Sequence, residues 1–316
     1  MVEPSAAPSI GVVVVSYGDP GLLEENVLAA DLSGVPAVLV VVDNHSTPQA
    51  RRAVEALCEG RGLELVALPT NAGFGAGANA GARRAVELGC TSLLFLNPDA
   101  VVEEDVVRAL DAHVRARPRS VVAPTVVRPD GSTWFAGAEL SLLTGRTRRR
   151  GVMTGPELQP WLSGACFAIG TDLWEELGGF DDRYFLYWED VDLSARCLAA
   201  GGELVVREDL SVVHAVGGTQ QPEGKSAVYY AYNCRNRLLF AAAHLGLART
   251  LRWVLTSPSY AREVVSRGGP HAWARDRTPL WAALRGTASG VVVAAPVLLR
   301  AARQRPRASR TSDRSE

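Results

Sequence analysis

Four apolar runs, each ending abruptly in polar residues, constrain this chain more than any other feature. "IGVVVVSYGDP" starts at Ile10, "AVLVVVDNHSTP" at Ala37, "LELVALPTN" at Leu63 and "TSLLFLNPDA" at Thr91. A continuous apolar run of this length suits a strand covered on both faces. Helical patterns fill the gaps, at Leu22 to Ala30, Gln49 to Cys58 and Ala76 to Leu88. Strand alternating with helix predicts an α/β fold built of βαβ units around a mainly parallel sheet. Ligands of such sheets bind outside the carboxyl ends of the strands. Those ends carry Ser16 and Tyr17, Asp43 and Asn44, Asn71, and Asn97 and Asp99. Any single strand must end in polar residues; four ends with these side chains point to one crevice.

The bulk properties exclude several function classes. With 316 residues, 47% of them hydrophobic, the chain can bury a large core, as one domain plus an extension or as two domains. A formal net charge of -1 gives no basic surplus for nucleic acid. Lys225 is the only lysine, an arginine and alanine bias that fits a GC-rich, bacterial genome. The five cysteines, Cys58, Cys90, Cys166, Cys197 and Cys234, are scattered and form no C-x-x-C pair. Reduced thiols in the cytoplasm are expected rather than a zinc site or a disulfide framework. The opening "MVEPSAAPSIG" has no signal-peptide pattern. The apolar stretch Ala288 to Leu299 is broken by Ser289, Gly290 and Pro296, and is shorter than the roughly 20 residues of a spanning helix.

Past Ser120 the pattern weakens, with "RPDGS" as a turn. A helix is expected over Thr171 to Leu177, with Thr171 as its N-cap and Gly178 and Gly179 as its stop. "GGELVVREDLSVVHAVGG" reads as a strand, a turn and a second short strand ending at His214. The text turns helical from Ser226, and the Arg- and Ser-rich end, residues 304–316, has the composition of a disordered tail.

Three stretches carry chemistry. In "NAGFGAGANAG", Gly73, Gly75, Gly77 and Gly81 precede or open a helix whose N-terminal amides suit a phosphate. Gly75-x-Gly77-x-x-Ala80 with Asp99 about 20 residues on also fits a relaxed dinucleotide fingerprint, or plain close packing of helix on sheet. In "LFLNPDA", Pro98 fixes a turn from which Asn97 and Asp99 project, a pairing that suits a hard divalent cation or simply a turn. In "RYFLYWEDVDLSARCLAAGG", Glu189, Asp190 and Asp192 open a helix over Asp190 to Ala200, where the macrodipole favours acids. Asp192 and Arg196 are spaced to pair on its surface. The aromatics Tyr184, Phe185, Tyr187 and Trp188 just before them would fix and partly dry a carboxylate, as a general base requires. His214 ends a strand and is either a core histidine or a ligand facing the same crevice.

Taken in order, "VVVVSYGDP", "VVVDNHSTP", "NAGFGAGANAG", "FLNPDA", "GGFDDRYFLYWEDVDLSARCLAAGG" and "VVHAVGG" resemble a family 2 glycosyltransferase of the GT-A fold, near its bacterial rhamnosyltransferase-like branch. The resemblance covers roughly residues 9 to 220. It implies a catalytic domain over residues 1–225, a helical extension over 226–303 and the tail, with the nucleotide-sugar half at about 9–100 and the acceptor half at about 101–225. It places Ser16, Tyr17, Asp43, Asn44, Asn71, Gly73, Phe74, Asn79 and Asn97 in the nucleotide-sugar site. It makes Asp99 and His214 ligands of a Mg²⁺ or Mn²⁺. The family's metal motif has an aspartate where this chain has Asn97, so Asp99 is its firm ligand. The "ED" pair becomes Glu189-Asp190, with Asp190 as the base of an inverting transfer. Trp161, Ser163, Gly164, Tyr187 and Trp188 fall on the acceptor side, the aromatics as its walls. The donor implied is a nucleoside-diphosphate sugar, with dTDP-rhamnose favoured. The acceptor is a saccharide, lipid-linked or natural-product hydroxyl. An NAD(P) oxidoreductase and a dead transferase fold are the rival readings.

The extension interleaves Arg249, Arg252 and Arg262 with Leu251, Trp253, Val254 and Leu255. Trp253, Trp273 and Trp281 are expected as interfacial anchors, with "ASGVVVAAPVLL" shallowly buried and peripheral contact with the inner face of the plasma membrane. Packing on the catalytic domain and a homodimer contact are the alternatives.

Overall fold

The computed structural model describes residues 9–214, 225–269 and 276–303. Within the catalytic region the strands are β1 Ile10–Ser16, β2 Ala37–Asp43, β3 Glu64–Ala67, β4 Ser92–Leu96, β5 Ala100–Val101, β6 Ser120–Val127, β7 Thr133–Phe135, β8 Ala138–Ser141, β9 Thr147–Arg149, β10 Leu158–Trp161, β11 Cys166–Gly170 and β12 Glu203–His214. The helices there are α1 Gly21–Glu25, α2 Pro48–Arg61, α3 Phe74–Glu87, α4 Glu104–Ala116, α5 Thr171–Leu177 and α6 Glu189–Ala199. Beyond them come α7 Ala227–His244, α8 Leu247–Leu255, α9 Ser257–Ser266 and α10 Thr278–Arg303.

The nine-stranded main sheet runs β3-β2-β1-β4-β11-β6-β12-β5, with β7 on β6. β3, β2, β1 and β4 are parallel, as their unbroken valine and leucine runs predict. β11 enters antiparallel between β4 and β6. Pairing of Ser16 with Asp43 and of Val14 with Leu96 brings these carboxyl ends to one edge. Both sheet faces are covered: Val12, Val14, Leu94 and Leu96 join one core, Val13, Val15, Leu93 and Phe95 the other. A small antiparallel sheet, β10-β8-β9, occupies the stretch whose pattern faded after Ser120. Its strands are three or four residues long, too short to print a period on the sequence.

Several expectations are corrected. Gly170 caps α5, and Thr171 is its first helical residue. β12 is one strand with an irregularity between Arg207 and Ser211, not two strands. The Asp192–Arg196 pair forms at 2.8 Å, but Asp192 is buried rather than on the surface. The stretch read as too short to span is part of a 26-residue helix that carries Pro296 inside it. Of this helix, Thr278–Leu299 is long and apolar enough to cross a membrane by length and composition. Trp253 is no surface anchor: it is fully buried, stacks on Phe240 and donates its indole N–H to Leu142 O at 3.0 Å. Trp281 is 68% exposed, and Trp273 and the 304–316 tail lie outside the described residues.

The extension packs on the catalytic region through a shared core that joins Leu140, Tyr184, Trp188 and Val191 to Leu238, Phe240, Trp253 and Tyr260. Along α10, Ala283, Gly286, Gly290 and Ala294 are buried, and a methyl on Gly286 would sit 2.0 Å from Ala231 O of α7. Small residues at this spacing let two helix backbones touch.

Candidate active site

The carboxyl end of β4 leads straight into Asn97-Pro98-Asp99. β5 then pairs with the end of β12, setting His214 opposite Ala100. That register carries the imidazole to the turn: His214 Nε2 lies 2.8 Å from Asp99 Oδ1 and 3.4 Å from Asn97 Nδ2. Both Asp99 and His214 are nearly fully buried, and the Trp134 ring packs 5.0 Å from the imidazole. Among the described residues His214 Nδ1 finds no hydrogen-bond partner. A carboxylate oxygen and an imidazole nitrogen thus converge on one point, a donor set that suits a divalent cation completing its shell with phosphate oxygens and water. Among the described residues no group of three or more acidic, His or Cys side chains forms a metal cluster, so the protein would supply only part of that shell.

The first strand ends are held by local contacts. Asn44 is buried and spans the loop before α3: its Oδ1 accepts from Ala72 N at 2.9 Å, and its Nδ2 donates to Gly73 O at 3.1 Å. Asp43 is buried against Arg51 Nε at 2.6 Å, and Arg51 also donates to Leu68 O. Ser16 is buried beside them, whereas Tyr17 is half exposed.

The glycines of "NAGFGAGANAG" make close contacts. Gly73 N donates to Asn71 Oδ1 and Phe74 N to Phe185 O, both at 2.9 Å, so these amides are already engaged. A Cβ on Gly73, which sits at φ 89°, would lie 2.2 Å from Phe185 O. Gly81 would bring a Cβ within 2.5 Å of Val13, and Gly77 within 3.0 Å of Val15. The helix is thus pressed on the sheet. Asn79 lies against the loop after α5. Its Oδ1 accepts from Phe180 N, and its Nδ2 donates to Phe180 O and Asp182 Oδ1, closing the loop after α5.

The carboxylate stretch forms a tight turn into α6. Tyr187 and Trp188 both adopt left-handed backbone, at φ 67° and 75°. For side chains of this bulk that conformation costs about 1–2 kcal/mol per residue and persists only where the surroundings impose it. Asp190, at the helix start, accepts from Gly164 N at 3.1 Å and Val191 N at 2.8 Å. Gly164 lies beside Phe74 as well as Asp190, and Asn97 N donates to Ala165 O at 2.9 Å. The 163–165 loop therefore ties the Asp99–His214 corner to Asp190, with Ser163 buried within it. Burial raises the Asp190 carboxyl above its ordinary range, against amide hydrogen bonds that pull it down. Glu189 is more deeply buried, with Oε2 unpartnered, and burial together with the Asp190 charge pushes its pKa well up. Burial favours the protonated form of Glu189, and beside it the half-buried Asp190 is the carboxyl placed to take a proton.

The expected aromatic walls are corrected in part. Trp188 is buried and packs on Phe240 and Trp253, so its ring faces the core and not a crevice. Tyr184 is likewise fully buried. Tyr187 and Trp161 keep partial exposure, Tyr187 edge-on to Tyr229 and Trp161 packed on Phe135. Arg51, Trp134, Asn236 and His244 escaped the sequence reading. Arg51 and Trp134 lie apart from any motif, and the other two sit in a helix whose period reads only as packing.

Comparison with known proteins agrees with this geometry. The family model "Glycosyl transferase family 2" matches residues 12–177, from β1 through α5. The chain is 25% identical to the dTDP-rhamnosyl transferase RfbF of Shigella flexneri, over 79% of this chain and 86% of that one. It is 28% identical to the N-acetylglucosaminyl-diphospho-decaprenol L-rhamnosyltransferase of Mycobacterium tuberculosis, over 77% of this chain and 88% of that one. Two solved structures share the fold. GalNAc-T7 with UDP, GalNAc and Mn²⁺ has a TM-score of 0.61 at 15% identity, over 95% of this chain and 58% of that one. The mannosyltransferase PcManGT from Pyrobaculum calidifontis, in complex with GDP-Man and Mn²⁺, has a TM-score of 0.52 at 19% identity, over 92% and 87%. The fold is thus the GT-A fold of these two structures, and the chain belongs to glycosyl transferase family 2.

Proposed function

We propose that the enzyme transfers a rhamnosyl unit from dTDP-rhamnose to a hydroxyl of a polyprenyl-diphosphate-linked saccharide, with inversion at the anomeric carbon. The observation that carries the reading is Asp190, whose carboxylate is fixed by two backbone amides and raised toward the neutral range at the mouth of the 163–165 loop. Asp190 accepts the proton of the acceptor hydroxyl, and that oxygen attacks the face opposite the nucleoside diphosphate. Ser16, Asp43 and Asn44 line the nucleoside end, and Tyr187, Trp161 and Gly164 the acceptor end. The names of the two bacterial relatives support the donor and, for one of them, the lipid acceptor.

Asp99 and His214 would hold a Mg²⁺ or Mn²⁺. When bound, the ion neutralises charge that builds on the departing diphosphate. The fit rests on the short contact between Asp99 Oδ1 and His214 Nε2, which concentrates one acid and one imidazole in a buried corner.

The acceptor class matches the outer face of the extension. Opposite the face of α10 that docks on α7, Leu280, Trp281, Leu284, Val292 and Leu299 are exposed, and α8 adds Leu247, Leu251 and Leu255 at one-turn spacing. Arg249, Arg252, Arg277 and Arg285 are exposed on the same two helices or at their ends. An apolar stripe with flanking arginines suits the surface of an anionic bilayer. Because α10 is fastened to α7 along its small residues, it would lie on the membrane rather than cross it. The five cysteines, all free and buried, fit the cytoplasmic side.

The test is transfer itself. Incubation with dTDP-rhamnose and decaprenyl-diphosphate-linked N-acetylglucosamine, followed by NMR of the new anomeric centre, should give a rhamnoside of inverted configuration. A retained configuration, or turnover of UDP- and GDP-sugars alone, overturns the assignment. Vesicles of phosphatidylglycerol should sediment the protein at low salt, and Trp281→Asp should weaken that. Protein that stays in the supernatant and scatters as a dimer would make the stripe a subunit contact.

A further inference from the structure

We propose that α7 is a positioning element for the base: Asn236 holds the turn before Asp190 in its left-handed form and so sets where that carboxylate points. The proposal rests on Asp190 as the base. Helix α7 turns one side to the whole turn. Tyr229 meets Tyr187 edge-on at 5.3 Å, Tyr232 stacks on Phe185 at 5.2 Å, and Phe240 packs on Trp188 at 5.7 Å. At the centre of this stripe Asn236, fully buried, donates from one nitrogen to two successive carbonyls, Leu186 O at 3.0 Å and Tyr187 O at 2.8 Å. Its Oδ1 accepts from Arg235, which also donates to Arg183 O at 3.0 Å. About two turns further along α7, His244 Nε2 lies 2.6 Å from Asp192 Oδ1 in the first turn of α6.

These contacts answer a question that the turn itself leaves open. Tyr187 and Trp188 are not glycines, yet both hold positive φ immediately before the catalytic helix. Nothing inside residues 185–188 favours that conformation, since large side chains disfavour it. In this backbone form the carbonyls of Leu186 and Tyr187 both face α7, and a single amide collects them. Relaxing Tyr187 or Trp188 to the ordinary region would rotate the entry to α6 and swing Asp190 off Gly164. The base is therefore held from a segment about 50 residues later, in the helical extension and outside the stretch that the family model matches.

The experiment compares Asn236→Ala, Asp190→Asn, Tyr187→Gly and the Asn236→Ala/Tyr187→Gly double variant in the full chain. kcat is read with dTDP-rhamnose and the decaprenyl-linked acceptor, affinity with dTDP by calorimetry, and backbone order by hydrogen exchange. Asn236→Ala should lower kcat on the order of 10²-fold, the loss expected of a displaced catalytic group. It should leave the dTDP Kd within about twofold, because no transition-state interaction is involved in that step. Amides 186–191 should exchange faster, with the sheet unchanged. Glycine at 187 adopts positive φ without the clamp, so Asn236→Ala should cost far less in the Tyr187→Gly background. A kcat kept above about a third of wild type overturns the proposal, since a displaced base cannot work that well. So does a loss shared equally by kcat, dTDP affinity and exchange throughout the molecule, which marks ordinary destabilisation. If Asp190→Asn keeps its rate, or the wild type does not turn over this pair, the reading of the function fails separately. Exchange then decides: unchanged protection at 186–191 in Asn236→Ala removes the clamp.

Discussion

The two sides of the active site are fixed in opposite ways. On the nucleotide side, Ser16 and Asp43 sit at the ends of neighbouring parallel strands, and Asn44 holds the Gly73 loop from the very next residue. The clasps of Ser16, Asp43 and Asn44 join β1, β2 and the loop before α3, elements that follow one another in the chain. On the base side, regular structure is missing between Gly178 and Glu189, two residues are left-handed, and the partners come from α7. A sheet edge positions side chains through its own ladder, whereas a turn must be held by whatever packs on it. Substitutions on the first side should therefore alter binding, and those on the second should alter turnover.

The sharpest break of that comparison comes from Asp190→Asn. Asparagine keeps the size and one acceptor for the Gly164 and Val191 amides but cannot take a proton. Turnover should fall on the order of 10²–10⁴-fold, with dTDP affinity little changed. The wild-type rate should rise with pH along an acidic limb set by Asp190, whose carboxyl is raised to about 6, and the variant should lack that limb. A variant that loses nucleotide affinity as much as rate would put Asp190 on the wrong side of the site.

Asp99→Ala tests the other side. Groups that merely support a metal ligand account for about 10–100-fold in metal affinity, and a direct ligand is worth no less. Calorimetry with dTDP should show a Mn²⁺-dependent enhancement in the wild type that EDTA abolishes and Asp99→Ala lacks. Equal affinities under all four conditions would leave the Asp99–His214 pair as a structural hydrogen bond.

Legibility in the sequence followed the same division. The valine runs of β1 and β2 gave the sheet, its direction and its polar edge, because a doubly covered strand must be apolar throughout. Asp99 and His214 were each visible at a strand end, yet their meeting depends on the short β5–β12 pairing, which two residues of β5 could not announce. The glycines of the 73–81 stretch were visible but ambiguous, since a phosphate cradle and a close helix contact both need a missing Cβ. The positions of Val13, Val42 and Phe185 show that the close contact is made. Trp188 and Trp253 read as exposed features because a charged residue, Glu189 or Arg252, stands beside each; their burial comes from the packing of α7 and α8 on the catalytic region, which no local pattern encodes. Asn236 could not be found at all, because a buried amide that serves another segment's backbone leaves no period or spacing.

Two glycine substitutions weigh the two regions by stability. Gly81→Ala would press a methyl to 2.5 Å from Val13 and 2.8 Å from Val42 on the central strands. Gly286→Ala would press one to 2.0 Å from Ala231 O, so α10 must move off α7. Overpacking of this kind costs about 1–3 kcal/mol. Both should lower the melting temperature, but Gly81→Ala should loosen α3 and leave α10 protected from hydrogen exchange, and Gly286→Ala the reverse. Loss of protection in both regions by either variant would show that sheet and extension unfold as one unit.

The smallest effect expected is at Glu189. Its side chain is buried with one oxygen unpartnered, and its pKa is pushed well above the ordinary carboxylate range, first by burial and then by Asp190. The folded protein thus binds this proton more tightly than the unfolded chain. Below the unfolded value, about 4.3, both states hold the proton and nothing is lost. As pH rises beyond it, the unfolded chain releases the proton while the folded one keeps it, so stability falls progressively until the folded group also ionises. Glutamine copies the neutral acid in shape and never ionises. Glu189→Gln should melt with the wild type near pH 4 and above it by pH 8, with the gap opening between. A gap that stays constant across that range, or one that narrows as pH rises, would mean that Glu189 is ionised in the folded state and that Asp190 works beside a charge rather than beside a neutral acid.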